Sequence, residues 1–127
     1  MSQAGPSGHV LLIEDEPNIA EAIRFLLSRD GWRVSVLATG EGAMAHIADL
    51  QPDLVILDLM LPVQSGLQIL TQIRARSTGG DLPVLMLTAK GQERDREAAL
   101  AAGVSDFMTK PFDNSQMRAA VRALLGA

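Results

Sequence analysis

Residues 54–58 read LVILD, in which four consecutive apolar residues are followed by the carboxylate of Asp58. A short apolar run of this kind is typical of a strand that is buried on both faces of a parallel sheet. A second run, residues 9–13, is followed in the same way by Glu14 and Asp15. In an open α/β sheet, ligands bind at the edge formed by the carboxyl ends of the strands. The two runs therefore predict that acidic side chains meet at that edge.

The length and composition of the chain indicate one globular domain. The 127 residues can form a single hydrophobic core, and the formal net charge of −4 offers no basic surface for direct nucleic-acid binding. The absence of cysteine excludes disulfides and thiolate metal sites and agrees with a cytoplasmic location. No apolar run approaches the roughly 20 residues that span a bilayer, so no membrane contact is expected. Residues 1–8 lack the pattern of a signal peptide and are expected to be flexible.

Five short apolar runs alternate with five segments of helical periodicity. The predicted strands cover residues 9–13, 32–37, 54–57, 83–87 and 104–108. The predicted helices follow them, with Pro17 in the first turn of the first helix and residues 65–76 and 92–102 in the third and fourth. Asp113 or Asn114 is expected to cap the fifth. This alternation predicts an α/β fold whose parallel sheet has helices on both faces.

The predicted topology is a doubly wound (βα)5 flavodoxin-like fold with a five-stranded sheet of order 2-1-3-4-5. In this order the first and third strands are neighbours, which brings Glu14, Asp15 and Asp58 together. Three acids at one edge repel each other unless a cation lies between them, and Mg²⁺ prefers oxygen ligands. Thr88 and Lys110 also lie at predicted strand ends. Each residue alone has an ordinary role as a turn, cap or solvated residue, but their shared edge predicts a functional site.

Four segments of the chain resemble the receiver domain of two-component response regulators, a family of bacterial phosphorelay signalling proteins. The segments are LLIEDEP at 11–17, LVILDLMLPVQSG at 54–66, VLMLTAK at 84–90 and DFMTKPF at 106–112. They occur in the family's order and at its ordinary spacings. The resemblance covers nearly the whole chain and implies a receiver domain over residues 9–127.

The resemblance implies a role for each residue of the acidic edge. Asp58 would be the phosphoacceptor, taking a phosphoryl group from the phosphohistidine of a histidine kinase or histidine phosphotransfer protein. Asp15, Asp58 and the backbone carbonyl of Met60 would ligate Mg²⁺. Glu14 stands where many relatives have Asp, and its longer side chain would act through a bound water.

Residues on the neighbouring strand ends would contact the transferred group. By the same resemblance, Lys110 and the hydroxyl of Thr88 would bind the phosphoryl oxygens, and the small side chain of Ala89 would leave room for them. The Lys110–Pro111 peptide bond would be cis. Val63 stands where Gly is common in the family, which implies a stiffer or differently bent loop after Asp58.

Phe107 has two interpretations. A strand aromatic is commonly half-buried at the side of a sheet, which is a purely structural role. In the family that the chain resembles, a Tyr or Phe at this position is a switch residue, which turns inward when the Thr moves toward the phosphoryl group. Because Phe has no hydroxyl to hold in water, our hypothesis is that Phe107 prefers the outward position less than a Tyr would.

Met60 and Lys90 lie two residues beyond Asp58 and Thr88, at positions that vary in the family. Their side chains would project over the phosphoryl group and hinder an attacking water without orienting one. The hypothesis is therefore slow self-dephosphorylation. The alternative is that both are ordinary residues at the rim of the site.

Two other functions use a similar fold or chemistry. A haloacid-dehalogenase-like phosphatase also has a strand-end Asp nucleophile, but it needs a second acid two residues later, where this chain has Met60. A flavodoxin-like binding module needs a hydroxyl- and glycine-rich phosphate loop after the first strand, where this chain has EDEPN. A receiver that is not phosphorylated and acts only as an interaction module is excluded on the sequence, because every active-site position is filled. The expected protein is not an enzyme with a separate substrate.

The end of the chain at Ala127 indicates a stand-alone receiver or one excised from a larger protein, such as a hybrid kinase. In the family, the face formed by the fourth helix, fifth strand and fifth helix binds the downstream protein. The charge pattern by which related transcription factors dimerise through this face is incomplete. Arg96 fits it, but Gln116 and Ala120 do not. A monomer or a weak phosphorylation-dependent dimer is therefore expected.

Overall fold

Five strands and five helices alternate along the chain. The computed structural model describes residues 8–89 and 93–126, so the predicted flexible segment, apart from Gly8, lies outside the described residues. The strands are β1 (His9–Ile13), β2 (Arg33–Leu37), β3 (Leu54–Asp58), β4 (Val84–Ala89) and β5 (Asp106–Lys110). The helices are α1 (Pro17–Arg29), α2 (Ala43–Leu50), α3 (Gly66–Arg74), α4 (Glu93–Ala101) and α5 (Asn114–Leu125). Within these ranges no helix has both the length and the apolar character needed to cross a membrane.

The five strands form one parallel sheet of order β2-β1-β3-β4-β5. This confirms the predicted doubly wound topology. β1 and β3 are buried along their whole length, as their unbroken apolar sequences predict. β2 and β5 are the edge strands, and each contains partly buried and exposed residues but no fully buried one.

The core has two layers, one on each face of the sheet. Alternate residues of each strand point to opposite faces, so Leu11 and Ile13 enter one layer while Val10 and Leu12 enter the other. α2, α3 and α4 cover the first layer, whereas α1 and α5 cover the second. The helices therefore lie on both faces of the sheet, as predicted.

The prediction that the fifth strand covers residues 104–108 is wrong by two residues. Val104 is partly buried against the core, which explains its strand-like appearance in the sequence. Its N–H, however, donates to the carbonyl of Ala99 (3.0 Å), so Val104 still belongs to the turn that ends α4. Gly103, with φ of 94°, allows this turn. β5 begins after Ser105, and Lys110 is consequently its last residue.

Two of the helices that follow the functional edge, α3 and α5, begin with well-formed caps. Ser65 accepts a hydrogen bond from the N–H of Gln68, and the Gln68 side chain accepts one from the N–H of Ser65. Asp113 and Gln116 form the same reciprocal pair at α5, so Asp113 is the cap. These caps fix where α3 and α5 leave the sheet edge that carries the acids.

Candidate functional site

Three carboxylates meet at the carboxyl ends of β1 and β3. The two strands pair in parallel with Ile13 opposite Leu57, so the residues that follow emerge side by side. Glu14, Asp15 and Asp58 each place one carboxylate oxygen within 4.8 Å of the others. Glu14 and Asp58 are buried, whereas Asp15 is exposed. The structure thus brings together the three acids that the sequence predicts to meet.

The ammonium of Lys110 lies against the two buried acids. Lys110 ends β5, which is two strands away from β3, and its side chain reaches back across the end of β4. Its Nζ donates a hydrogen bond to Asp58 Oδ2 (2.9 Å) and lies 3.0 Å from Glu14 Oε1. One positive charge therefore balances part of the negative charge of the cluster.

Burial and neighbouring charges shift the pKa values of Glu14 and Lys110. Burial raises the pKa of Glu14 and outweighs the backbone N–H of Glu16 and the Lys110 ammonium, which both lower it; the nearby Asp58 adds to the rise. Burial acts to lower the pKa of Lys110, but the hydrogen bonds and negative charges of Asp58 and Glu14 outweigh it, and the pKa is raised. Lys110 is therefore firmly protonated, while a charge on Glu14 is costly without a further cation.

The acidic cluster has the chemistry of a hard-cation site. Glu14 Oε2 accepts a hydrogen bond from the N–H of Glu16 (3.0 Å). Glu14 Oε1 is buried, and its partner among the ion pairs of the described residues is the Lys110 ammonium, which it shares with Asp58. Two buried carboxylates that share one ammonium keep an uncompensated negative charge, and a divalent cation with oxygen ligands would neutralise it. The residues present therefore fit Mg²⁺.

The loop between β3 and α3 holds the Asp58 carboxylate from the other side. The N–H of Met60 donates to Asp58 Oδ1 (3.1 Å), while the Met60 side chain is 71% exposed. At the end of the loop, a Cβ on Gly66 would lie 2.3 Å from the carbonyl oxygen of Asp58 and 2.9 Å from Cα of Leu59. Only glycine permits this approach, so Gly66 lets α3 begin directly beside β3.

Val63 adopts a strained backbone conformation in the same loop. Its φ is 73°, which is rare for a β-branched residue, and its side chain is 76% exposed. The N–H of Gln64 donates to the carbonyl of Pro62 (2.8 Å), which closes a tight three-residue turn around Val63. Val63 therefore adopts a backbone conformation that favours Gly, and its β-branched side chain carries the steric cost.

The remaining predicted residues lie along β4 and β5. Thr88 is buried near the end of β4 opposite Thr109, and Ala89 is exposed opposite Lys110. Lys90 falls outside the described residues. The Lys110–Pro111 peptide bond is cis, as predicted. No sequence signal pointed to the neighbour of Phe107: the Arg96 guanidinium carbon lies 4.2 Å from its ring centroid.

The comparison with known families agrees with this geometry. Residues 10–122 match the model of the response regulator receiver domain. The chain belongs to this family. That membership, together with the fold, confirms the resemblance on which the site was assigned and removes the support for a dehalogenase-like phosphatase or a flavodoxin-like module.

Curated relatives and solved structures share the fold and the domain. The chain is 40% identical over 116 residues to the sensory transduction protein RegX3 of Mycobacterium tuberculosis (91% of the chain, 50% of RegX3). It is 41% identical to the DNA-binding regulator RpaA of Synechocystis, covering 48% of that protein. It also resembles the receiver domain of the sensor histidine kinase PA1611 of Pseudomonas aeruginosa, with a TM-score of 0.86, 31% identity and coverage of 96% and 100% of the two chains. That structure has a magnesium ion in its active-site cleft.

The chain spans about half the length of the curated relatives that it matches. RpaA is named as a DNA-binding regulator, so the expectation of no nucleic-acid contact is restricted to the receiver residues and is not supported for a longer protein. Whether the receiver acts alone likewise stays a prediction.

Substitution of Val63 by Gly should stabilise the protein. A positive φ costs a β-branched residue about 1–2 kcal/mol, and the substitution removes this strain. Gly, however, has more conformational freedom in the unfolded chain, which lowers the stability by about 0.5–1 kcal/mol. We expect a net increase of about 0.5–1 kcal/mol in the free energy of unfolding, measured by urea denaturation. Val36→Gly, at an exposed position of β2 with regular strand geometry, is the control and should destabilise. A loss of stability in both variants would show that Val63 is not strained.

Proposed function

We propose that the chain is a phosphorylation-controlled signalling switch in which Asp58 is the phosphoacceptor. The observation that carries this proposal is the Asp58 carboxylate itself, which lies beside the acids that follow β1 and accepts a hydrogen bond from the ammonium of Lys110. The phosphoryl donor is the phosphohistidine of a histidine kinase or a histidine phosphotransfer protein. An Asp58 oxygen attacks phosphorus, the bond from phosphorus to the imidazole nitrogen breaks, and an acyl phosphate forms.

Asp58 is the best placed of the three acids to act as the nucleophile. It ends the central strand, and both of its oxygens are oriented, Oδ1 by the N–H of Met60 and Oδ2 by Lys110. Glu14 is more deeply buried and Asp15 is exposed, so these two flank the attacking group. Geometry of this kind matters because phosphoryl transfer is catalysed mainly by positioning and charge.

The transfer requires cations around the phosphoryl oxygens. Glu14, Asp15, Asp58 and the backbone carbonyl of Met60 would hold Mg²⁺, which when bound neutralises charge on those oxygens. Lys110 supplies a second positive charge, and it is already present at the carboxylate before the donor arrives. Thr88 contributes its hydroxyl, and Ala89, exposed beside it, leaves space for the transferred group.

The output of the switch is a change in the surface formed by α4, β5 and α5. Thr88 moves toward the phosphoryl group, Phe107 turns inward, and the altered face binds a downstream protein. The chain acts as a cytoplasmic monomer or a weak phosphorylation-dependent dimer. It catalyses only its own phosphorylation and dephosphorylation. Family membership and the acidic cluster support this proposal.

Acetyl phosphate provides a direct test of the acceptor. With Mg²⁺ present, we expect intact mass spectrometry to show a gain of one phosphoryl group per chain, and none after chelation of the metal. Asp58→Asn should abolish the gain, because an amide is not a nucleophile here. Asp49→Asn, an exposed acid on α2, is the matched control and should behave as the parent chain. A phosphoryl group retained by Asp58→Asn would refute the assignment.

Removal of the Glu14 charge should weaken metal binding. Glu14→Gln keeps the shape of the side chain but loses the negative charge of this buried carboxylate. For a group acting through a bound water, we expect the Mg²⁺ affinity measured by calorimetry to fall by about 10–100-fold. Glu41→Gln, an exposed acid outside the cluster, is the control. Equal affinity in the parent and Glu14→Gln would exclude Glu14 from the metal site.

The phosphoryl group should be long-lived because nothing at the rim orients water. Met60 presents an exposed thioether beside Asp58, and Lys90 is the second rim residue proposed from the sequence. The double variant Met60→Asn, Lys90→Glu should shorten the half-life of phospho-Asp58 several-fold, because an amide and a carboxylate can position an attacking water. The half-life is read by mass spectrometry after removal of acetyl phosphate. An unchanged half-life would assign both residues a passive role.

A further inference from the structure

α4 is attached to the sheet by little buried apolar surface. Its sequence is ERDREAALA, and within residues 93–101 only Ala99 is fully buried. Leu100, the largest apolar residue of the helix, is 55% exposed. By contrast, α3 buries Ile69, Leu70 and Ile73. An element with so few buried contacts has low local stability, so a single further contact has a large influence on its position.

Arg96 and Phe107 supply such a contact between α4 and β5. The guanidinium carbon of Arg96 lies 4.2 Å from the centroid of the Phe107 ring, which is well within cation–π range. The ring also packs against the core layer beneath α4. The Arg96 side chain is 52% exposed, and its one acidic neighbour among the ion pairs of the described residues, Glu93, is on the same helix at 4.0 Å. The contact therefore joins the helix to the strand through the ring.

The same pair of strands carries the ring and the proposed active site. Phe107 lies opposite Met86 in the register of β4 and β5. Two residues further on, Thr88 lies opposite Thr109, and then Ala89 lies opposite Lys110. Along these strands the ring therefore lies about two residues before Thr88, which is proposed to bind the phosphoryl oxygens.

We infer that Arg96 is a positioning residue that latches Phe107, and with it α4, in the resting conformation. This inference rests on the proposed function, in which phosphorylation draws the ring inward. A ring that turns inward moves away from the guanidinium, which is half exposed and lies over the ring in this structure. The contact is therefore present in the resting state and lost in the activated one, so it shifts the equilibrium toward rest. Phe107 has no hydroxyl that could hold its ring outward, and in this proposal the Arg96 guanidinium holds the ring there instead.

A double-mutant cycle tests the contact without reference to phosphorylation. Arg96→Leu, Phe107→Leu and the double variant are unfolded with urea in the absence of any phosphoryl donor. We expect the two substitutions to be coupled, with a factor of about two to five in the unfolding constant, as for an exposed cation–π pair. Additive effects would overturn the latch.

Beryllofluoride, a phosphoryl mimic, tests the regulatory role. In saturating Mg²⁺, Arg96→Leu should bind beryllofluoride about two- to fivefold more tightly than the parent chain, because activation no longer breaks a contact. Arg96→Lys, which keeps a cation for the ring, should stay within about twofold of the parent. Arg94→Leu removes the same charge from an exposed position of the same helix and should leave the affinity unchanged.

The outcomes separate this inference from the proposed function. Equal tightening by Arg94→Leu and Arg96→Leu would assign the effect to net charge and overturn the latch. Unchanged or weaker binding by Arg96→Leu would do the same. Failure of the parent chain to bind beryllofluoride, or full binding by Asp58→Asn, would overturn the proposed function and the regulatory role of Arg96 together.

Discussion

The charge balance among Lys110, Asp58 and Glu14 is the constraint on which the functional edge depends. Two of the three acids are buried, and burial of charge is tolerated only when opposite charges or hydrogen bonds compensate for lost water. One ammonium lies within 3.0 Å of both buried carboxylates and compensates part of this charge. The two buried carboxylates share this one ammonium, and Asp15 adds a third negative charge at the same edge. The remaining negative charge therefore favours binding of a further cation at this edge. The proposed phosphoryl group would then lie between that cation and the Lys110 ammonium.

The strand order makes this balance possible. Because β3 lies between β1 and β4, Asp58 has the acids of β1 on one side and the hydroxyl of Thr88 on the other. Lys110 reaches the cluster because β5 ends, rather than begins, at the same edge, as parallel strands require. The loop after β3 borders the site on the remaining side. The chain bends at Val63, and Gly66 then allows α3 to begin in close contact with the end of β3. The strained Val63 is thus in the loop that directly follows Asp58, the proposed phosphoacceptor.

The helices differ in how much apolar surface holds them to the sheet. α1, α3 and α5 bury large aliphatic side chains, whereas the fully buried residue of α4 is an alanine, and the Arg96 guanidinium of this helix lies near the Phe107 ring. An element that must move in response to a distant charge is best drawn from the least stable part of a fold. The mixed-charge sequence of α4 already indicated an exposed helix, but only the docked structure shows that Arg96 turns back onto Phe107.

Periodicity and residue type predicted the alternating strands and helices, because these depend on local patterns. The doubly wound arrangement then gave the sheet order. Because parallel strands end at one edge, that order predicted the meeting of Glu14, Asp15 and Asp58. Periodicity and residue type misplaced the start of β5, since Val104 is apolar for the core but bonded to the end of α4. The sequence alone also could not show that Glu14 and Asp58 share the Lys110 ammonium, that the φ of Val63 is positive, or that the Phe107 ring lies beside Arg96. These three depend on distances between segments far apart in sequence or on the closure of a loop, and tertiary packing decides them.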